Sequence, residues 1–123
     1  MTIRRRILVV EDDVDARDGL SHLLESAGYD VLTAGDGEEA ANYLMQGIRP
    51  RLMVVDLRLP RVSGTEFLRY IQDDADLRMI PRIVVTALDH DDVHVVADAI
   101  FHKPCDVEEV LATVRRLAPP GAF

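Results

Sequence analysis

The sequence has little cysteine and no long hydrophobic run. The single cysteine, Cys105, excludes an internal disulfide and a multi-cysteine metal site, which is typical of a reducing compartment. Apolar runs such as residues 7–10 and 83–85 are far shorter than the roughly 20 residues that a membrane helix needs. The basic residues 4–6 resemble the start of a signal peptide, but the acidic residues 11–13 end the apolar run too early. We therefore expect a cytoplasmic protein with no membrane partner.

Positive charge is also scarce. The 123 residues include 14 Lys and Arg against 22 Asp and Glu, which gives a formal net charge of −8. Phosphate contacts need clustered basic side chains, so this balance argues against direct binding of nucleic acid. A chain of this length with 48% apolar residues can bury the core of one domain. We expect that domain to span residues 1–123, with a core at about 5–118, a tail at 119–123 and no output domain.

Short apolar runs alternate with amphipathic segments, which is typical of repeated strand–helix units. The predicted strands are residues 7–10, 30–34, 52–55, 83–86 and 99–102. The first helix is predicted to end at Gly28, and capping patterns open the second, third and fifth helices at Asp36, Ser63 and Asp106. Only residues 91–98 remain for a fourth helix, and their helical periodicity is weak.

Five strands alternating with helices predict an α/β fold, an open doubly wound parallel sheet with helices on both faces. In the strand order 2-1-3-4-5, ligands bind outside the carboxyl ends of the strands, where the chain changes direction between strands one and three. The residues that follow each strand are therefore the first candidates for a functional site.

Polar side chains lie at the ends of four predicted strands. Glu11 and Asp12 follow the first strand, Asp56 follows the third, Thr86 ends the fourth and Lys103 follows the fifth. Three carboxylates that converge at one sheet edge repel one another unless a cation lies between them. Oxygen ligands without histidine or cysteine favour Mg²⁺, and Lys103 adds a second positive charge.

A metal, a hydroxyl and a lysine together suit a phosphoryl group, whose transfer depends on positioning and on neutralising negative charge. Asp56 is the candidate nucleophile, since a carboxylate can attack phosphorus and form an aspartyl phosphate. Thr86 can hydrogen-bond one phosphoryl oxygen, and Lys103 can pair with another. The sequence thus predicts a catalytic group of Asp56, Thr86 and Lys103.

Four stretches of the chain carry a family resemblance in their order and spacing. They are residues 7–13, residues 56–60 with Gly64, residues 84–87, and Lys103 with Pro104. Together they resemble the receiver domain of response regulators, the CheY-like family of two-component and phosphorelay signalling. The resemblance implies a flavodoxin-like (CheY-like) fold. It also implies a signalling domain rather than an enzyme, one that catalyses only its own phosphorylation and dephosphorylation.

The resemblance also implies ligands and partners. Asp56 matches the phosphoacceptor, Glu11 and Asp12 match the acidic pair that organises Mg²⁺, and the backbone carbonyl of Arg58 matches a third protein ligand. The phosphoryl donor would be a histidine kinase or a histidine phosphotransfer protein. The output would be a conformational change that an unknown protein or domain reads.

The remaining matched positions concern the conformational change that follows phosphorylation in the family. Thr86 matches the hydroxyl that follows the phosphoryl group, Lys103 matches the family's lysine, and a cis bond is expected before Pro104. Ile100 stands where the family usually has Tyr or Phe, and Phe101 is predicted to point to the opposite face of the sheet. The aromatic ring that usually moves inward together with the threonine is therefore missing, or another residue takes its part.

Two further departures lie near the fifth strand. The interval from Thr86 to Lys103 is about five residues shorter than the family's, which exceeds one helical turn. We therefore expect the fourth helix to be shortened, distorted or replaced by a loop, and the output to use a different face or geometry. Cys105 replaces a common phenylalanine and is expected to open room beside Lys103.

Several alternatives stay open at this point. The chain could keep the receiver fold as a protein-binding module that works without phosphorylation. A Mg²⁺-dependent phosphatase would need a second acid where Arg58 stands, and a flavodoxin-type carrier would not place acids at residues 11–13. The acidic and histidine residues at 89–94 could bind a second metal, although a solvated loop is the simpler interpretation.

Overall fold

The computed structural model describes residues 6–120. Its elements are β1 (Arg6–Val10), α1 (Val14–Ser26), β2 (Asp30–Ala34), α2 (Gly37–Met45), β3 (Leu52–Val55), α3 (Gly64–Gln72), β4 (Arg82–Thr86), β5 (Ala99–His102) and α4 (Val107–Leu117). Short 3₁₀ turns lie at Leu77–Met79 and His90–Asp92. The predicted core boundary at residue 5 and the last three residues of the predicted tail lie outside the described residues. Within these, no helix is long and apolar enough to cross a membrane.

All five strands run parallel in one sheet, in the order β2-β1-β3-β4-β5, which confirms the predicted fold. The central pairing joins β1 to β3 from Ile7 opposite Leu52 to Val10 opposite Val55. Both strands are almost continuously apolar because helices cover both faces of the sheet. This register brings the carboxyl ends of β1 and β3 side by side.

The helices create one hydrophobic core on each face of the sheet. On the face covered by α2 and α3, the sheet contributes Leu8, Val10, Met53, Val55 and Val84. On the face covered by α1 and α4, it contributes Ile7, Val9, Leu52, Val54 and Ile83. We call these the α2/α3 face and the α1/α4 face. Successive strand residues alternate between them, as the geometry of a strand requires.

The predicted helix caps are present, with one difference in detail. The side chains of Asp36 and Ser63 accept hydrogen bonds from the backbone N–H three residues later, as the capping pattern predicts. Asp106 also caps its helix, but it accepts from Glu108 N rather than from the residue that the pattern indicates. Gly28 has φ +96°, the left-handed conformation that ends α1.

The predicted fourth helix is replaced by the 3₁₀ turn and a non-helical segment at residues 93–98. The weak helical periodicity of this region is therefore misleading. Val93, Val95 and Ala97 pack on the core of the α2/α3 face, while the residues between them are exposed. An alternation of packed and exposed residues with a period of two is typical of an extended backbone. The β-branched valines favour that conformation over a short helix. The predicted fifth helix is accordingly α4.

A buried arginine fixes the end of this segment. Arg82 begins β4 one residue earlier than predicted, and it is 2% exposed. Its backbone N–H donates to Asp98 Oδ2 at 2.9 Å, and its carbonyl accepts from Asp98 N at 2.9 Å. Its guanidinium donates to the carbonyls of Arg78 and Ile80 and to the side chain of Gln72. Desolvation by burial lowers the pKa of Arg82, and these acceptors satisfy its donors.

The last strand, β5, confirms the predicted alternation. Phe101 packs against the core of the α1/α4 face. Ile100 points to the other side of the sheet and is 41% exposed, because the segment at 93–98 covers less of β5 than a helix would. The ring of Phe101 thus lies on the face opposite Ile100.

Candidate functional site

The sheet itself places two of the predicted carboxylates. Asp56 N donates to Val10 O at 2.9 Å, so the residue after β3 lies beside the end of β1. Glu11 N donates to Ala34 O at 3.0 Å and anchors the residue after β1 in the same way. Because parallel strands end at a common edge, both acidic side chains emerge there without any special loop.

Three carboxylates meet at this edge. Glu11, Asp12 and Asp56 each offer an oxygen, and these oxygens lie within 4.8 Å of one another. Glu11 and Asp56 are buried, with 8% and 7% exposure, whereas Asp12 faces solvent. A compact set of carboxylate oxygens, reachable from water on one side, suits a hard cation such as Mg²⁺. Among residues 6–120 this is the one group of three or more candidate metal ligands.

Lys103 closes the site from the end of β5. Its Nζ donates to Glu11 Oε1 at 2.6 Å and to Asp56 Oδ2 at 2.9 Å. Desolvation favours a neutral lysine, but these hydrogen bonds and charges outweigh it and raise the pKa of Lys103 to about 12. Burial raises the pKa of Glu11, and the charge of Asp56 adds to that effect although Lys103 opposes it. The site therefore holds a fixed cation between two acids.

The other oxygen of Asp56 is also held. Arg58 N donates to Asp56 Oδ1 at 3.0 Å, so the chain turns directly after β3 and brings the backbone of Arg58 beside the carboxylate. The loop then folds back, and Gly64 N donates to Leu57 O at 3.1 Å. A side chain at Gly64 would overlap the backbone of Asp56, so the amino end of α3 packs directly against the candidate nucleophile.

Thr86 and Pro104 complete the predicted edge. Thr86 is fully buried at the end of β4, and its Oγ1 accepts from Leu88 N at 3.1 Å. Its carbonyl accepts from Lys103 N at 2.7 Å, which ties the lysine to the threonine through the backbone. The peptide bond between Lys103 and Pro104 is cis, as expected.

Cys105 lies beside an apolar cavity of about 480 Å³ between the sheet, α1 and α4, which reaches Asp56 and Lys103. The predicted room next to the lysine is therefore present. Cys105 packs against the core of the α1/α4 face, and burial raises the pKa of its thiol despite the nearby lysine. This environment favours a small packed residue over a reactive thiolate.

The predicted alternative of a second metal at residues 89–94 finds no support in the described chain. These residues contain no group of three ligand atoms close enough to share an ion. His90 instead lies against His102, with ring centroids 5.9 Å apart. Asp13, which precedes α1, caps that helix by accepting from Asp15 N at 3.0 Å. Acidic residues around the site thus divide into those at the sheet edge and those that cap helices.

One ion pair near the site, between the buried Asp36 and the exposed Arg61, escaped prediction. Asp36 is 2% exposed and accepts from Glu39 N at 2.8 Å and from Arg61 Nε at 2.9 Å. Arg61 has φ +59°, a left-handed conformation rare for a residue with a side chain, and it lies in the loop that carries Arg58. The pair therefore ties the loop after β2 to the loop after β3. The sequence signalled only the cap at Asp36.

We expect Asp36→Asn to lower the free energy of unfolding by about 1 kcal/mol above pH 5, because asparagine keeps the cap but loses the charge. The backbone hydrogen bond from Glu39, followed by Arg61, lowers the pKa of Asp36 although burial opposes them. A carboxyl whose pKa is lowered in the folded state stabilises the protein above its unfolded pKa of about 3.9. That stabilisation is lost as the pH falls through the folded pKa. Urea unfolding curves of both proteins should therefore converge below about pH 3.

Glu38→Gln is the matched control for this prediction. This substitution removes the same charge two residues further along the chain, but the side chain of Glu38 is 59% exposed and lies 3.9 Å from Arg61 Nε. It should leave the pH dependence nearly unchanged, since exposed pairs contribute little. Equal effects of Asp36→Asn and Glu38→Gln would mean that net charge, and not the buried carboxylate of Asp36 with its partners, controls acid stability.

Comparison with known proteins agrees with this geometry. The protein family described as "Response regulator receiver domain" matches this chain over residues 7–115. The DNA-binding dual master transcriptional regulator RpaA of Synechocystis is 38% identical over 117 residues, covering 91% of this chain and 48% of that protein. The chain spans about half the length of the curated relatives it matches.

Solved structures show the same likeness. The signal receiver domain of a signal transduction histidine kinase from Syntrophus aciditrophicus has a TM-score of 0.86 and 35% identity, covering 92% of this chain and 89% of that chain. Response regulator protein TrrA from Thermotoga maritima, solved in complex with Mg²⁺-BeF, has a TM-score of 0.81 and 29% identity, covering 92% and 98%. With its sheet order, its acidic edge and its lysine, the chain belongs to the response regulator receiver domain family.

Proposed function

We propose that the chain accepts a phosphoryl group on Asp56 from a histidine kinase or a histidine phosphotransfer protein, and that Mg²⁺ is required. The observation that carries this proposal is the position of Asp56, held by Lys103 at 2.9 Å and grouped with two further carboxylates. A histidine kinase donates in the cytoplasm, so we assign the chain to that compartment. The receiver unit would comprise residues 1–123, and its role is signalling rather than turnover of a separate substrate.

The residues divide the chemistry among them. A carboxylate oxygen of Asp56 attacks phosphorus, and the bond between phosphorus and the donor's leaving atom breaks. Lys103 pairs with one phosphoryl oxygen, and the Thr86 hydroxyl donates a hydrogen bond to another. Both groups then stabilise negative charge where it develops, which is the main catalytic effect in phosphoryl transfer.

The metal would be held by Glu11, Asp12, Asp56 and the backbone carbonyl of Arg58. Mg²⁺ supplies charge neutralisation for the phosphoryl oxygens when it is bound. The oxygen-only donor set at the edge of the sheet fits that ion. Arg58 N, which donates to Asp56 Oδ1 at 3.0 Å, keeps the nucleophile oriented.

Intact-mass measurement after incubation with acetyl phosphate and Mg²⁺ tests the proposal. Wild-type protein should gain the mass of one phosphoryl group, with acetate as the leaving group. Asp56→Asn should gain none, because the amide is a poor nucleophile of nearly the same shape. Asp73→Asn, in the exposed turn after α3, is the matched control and should react like wild type. An unmodified wild type, or equal adducts on wild type and Asp56→Asn, would contradict the proposal.

A second candidate is a protein-binding module that works without phosphorylation. It draws on the replaced fourth helix and on the 41% exposure of Ile100, which together alter the usual output surface. Once a partner is known, its affinity for wild type, Asp56→Ala and the phosphorylated form discriminates the two functions. Equal affinities would favour the binding module. In either case we expect the receiver to contact a protein, since its net charge of −8 disfavours nucleic acid.

A further inference from the structure

The backbone of Leu88 is held by two polar side chains from neighbouring strands. Its N–H donates to Thr86 Oγ1 at 3.1 Å. Its carbonyl lies 3.1 Å from His102 Nδ1. A carbonyl oxygen can only accept a hydrogen bond, so Nδ1 must carry the proton in this arrangement. The Thr86 hydroxyl and the His102 ring are therefore linked through one residue.

His102 is placed for this link by the sheet. Thr86 and His102 are register partners on β4 and β5, so their side chains leave the same face of the sheet. Ile100 lies on that face too, two residues earlier, but its side chain has neither a polar atom nor a ring. His102 is exposed, and its ring lies against His90, which begins the 3₁₀ turn after Leu88. A path of direct contacts thus runs from the buried hydroxyl to the surface.

We propose that His102 is a positioning residue that holds Leu88, and through it the Thr86 hydroxyl, in the arrangement of the unphosphorylated protein. This inference rests on the proposed function, because it concerns the hydroxyl assigned to the phosphoryl group. For Thr86 Oγ1 to turn towards a phosphoryl oxygen, it must leave Leu88 N or take Leu88 with it. The bond from His102 opposes both movements, since it fixes the carbonyl of Leu88.

The direction of the effect follows from linkage. A contact that forms only in the unphosphorylated arrangement stabilises that arrangement. It therefore lowers the affinity of the protein for a ligand that favours the phosphorylated arrangement. Removing the His102 donor should therefore strengthen binding of a phosphoryl mimic. One neutral hydrogen bond changes an equilibrium by about twofold to tenfold, and an exposed bond belongs near the lower end. The segment at residues 88–98, which takes the place of a helix, would move with Leu88.

Nitrogen NMR of the histidine rings tests the contact itself. In the free protein His102 should be found with Nδ1 protonated, and addition of beryllofluoride with Mg²⁺ should shift the Nδ1 and Nε2 resonances of this ring. His22, which is exposed in α1 far along the chain from β5, is an internal reference and should not shift. A His102 ring protonated only on Nε2 in the free protein, or unmoved by beryllofluoride, would overturn the proposal.

Beryllofluoride titration of two variants tests the coupling. His102→Phe keeps a ring but has no donor, and it should bind beryllofluoride about threefold more tightly than wild type. His102→Asn places an amide donor near the position of Nδ1 and should restore the wild-type affinity. A His102→Phe affinity equal to or weaker than that of wild type would overturn the coupling alone. A wild type that binds no beryllofluoride would overturn the proposed function and this inference together.

Discussion

The Gly64→Ala variant is expected to lose about 3 kcal/mol of unfolding free energy and most of its ability to accept a phosphoryl group. A Cβ at this position would overlap the carbonyl oxygen of Asp56 and lie 2.7 Å from Cα of Leu57. Both obstacles are backbone, so neither can turn aside as a flexible side chain could. The amino end of α3 would have to move away from β3 and disturb Asp56 itself. Urea denaturation and intact-mass measurement record the two losses.

Gly19→Ala is the matched control for this substitution. Gly19 lies inside α1, and no heavy atom lies within 4 Å of a Cβ built on it. Alanine there should stabilise the protein by about 0.5–1 kcal/mol, because it favours helix and restricts the unfolded chain. If Gly64→Ala were as stable and as reactive as wild type, the close approach of α3 to Asp56 would not limit the site.

Parallel strand pairing explains why the sheet edge was predictable from the sequence. The ends of three strands were visible as points where an apolar run gives way to polar residues, which are Glu11 after the first strand, Asp56 after the third, and His102 with Lys103 at the fifth. Once the strands are parallel and ordered, their carboxyl ends must share an edge, so no loop geometry had to be known. The structure confirms the strands, their order and the proximity of these side chains. The proximity follows because the carboxyl ends of parallel strands lie at one edge of the sheet.

Long-range polar contacts could not be predicted in the same way. Asp36 and Arg61 belong to different loops, and Arg61, whose backbone is left-handed, donates from its guanidinium to the buried carboxylate of Asp36. The link from His102 to Leu88 joins a side chain to a backbone carbonyl, which leaves no trace in residue types. Contacts of this kind depend on loop conformations that periodicity does not determine.

The segment at residues 93–98 was predictable in part. Its shortness indicated that a full helix could not form there. Its conformation was harder to predict, because the positions of its three valines and one alanine fit both a helical and an alternating pattern. The alternation of Val93, Val95 and Ala97 towards the core was the decisive signal, and β-branched residues favour it.

Lys103→Met should separate two functions of the lysine that act in opposite directions. Methionine keeps an unbranched apolar stem but removes the charge that lies 2.6 Å from Glu11 Oε1 and 2.9 Å from Asp56 Oδ2. Loss of one preorganised donor to a developing negative charge typically slows a reaction about 10²-fold to 10³-fold. We expect adduct formation from acetyl phosphate, followed by intact mass, to slow by that order.

Binding of Mg²⁺ should change in the other direction. A cation so close to the carboxylates repels a divalent ion and competes for the same oxygens, so its removal should tighten Mg²⁺ binding in a calorimetric titration. A misfolded variant would lose both properties, which makes the opposite signs diagnostic. Arg115→Met, which removes one positive charge from an exposed position of α4, should change neither property appreciably. Weaker Mg²⁺ binding by Lys103→Met would show that the lysine orders the carboxylates for the metal rather than competing with it.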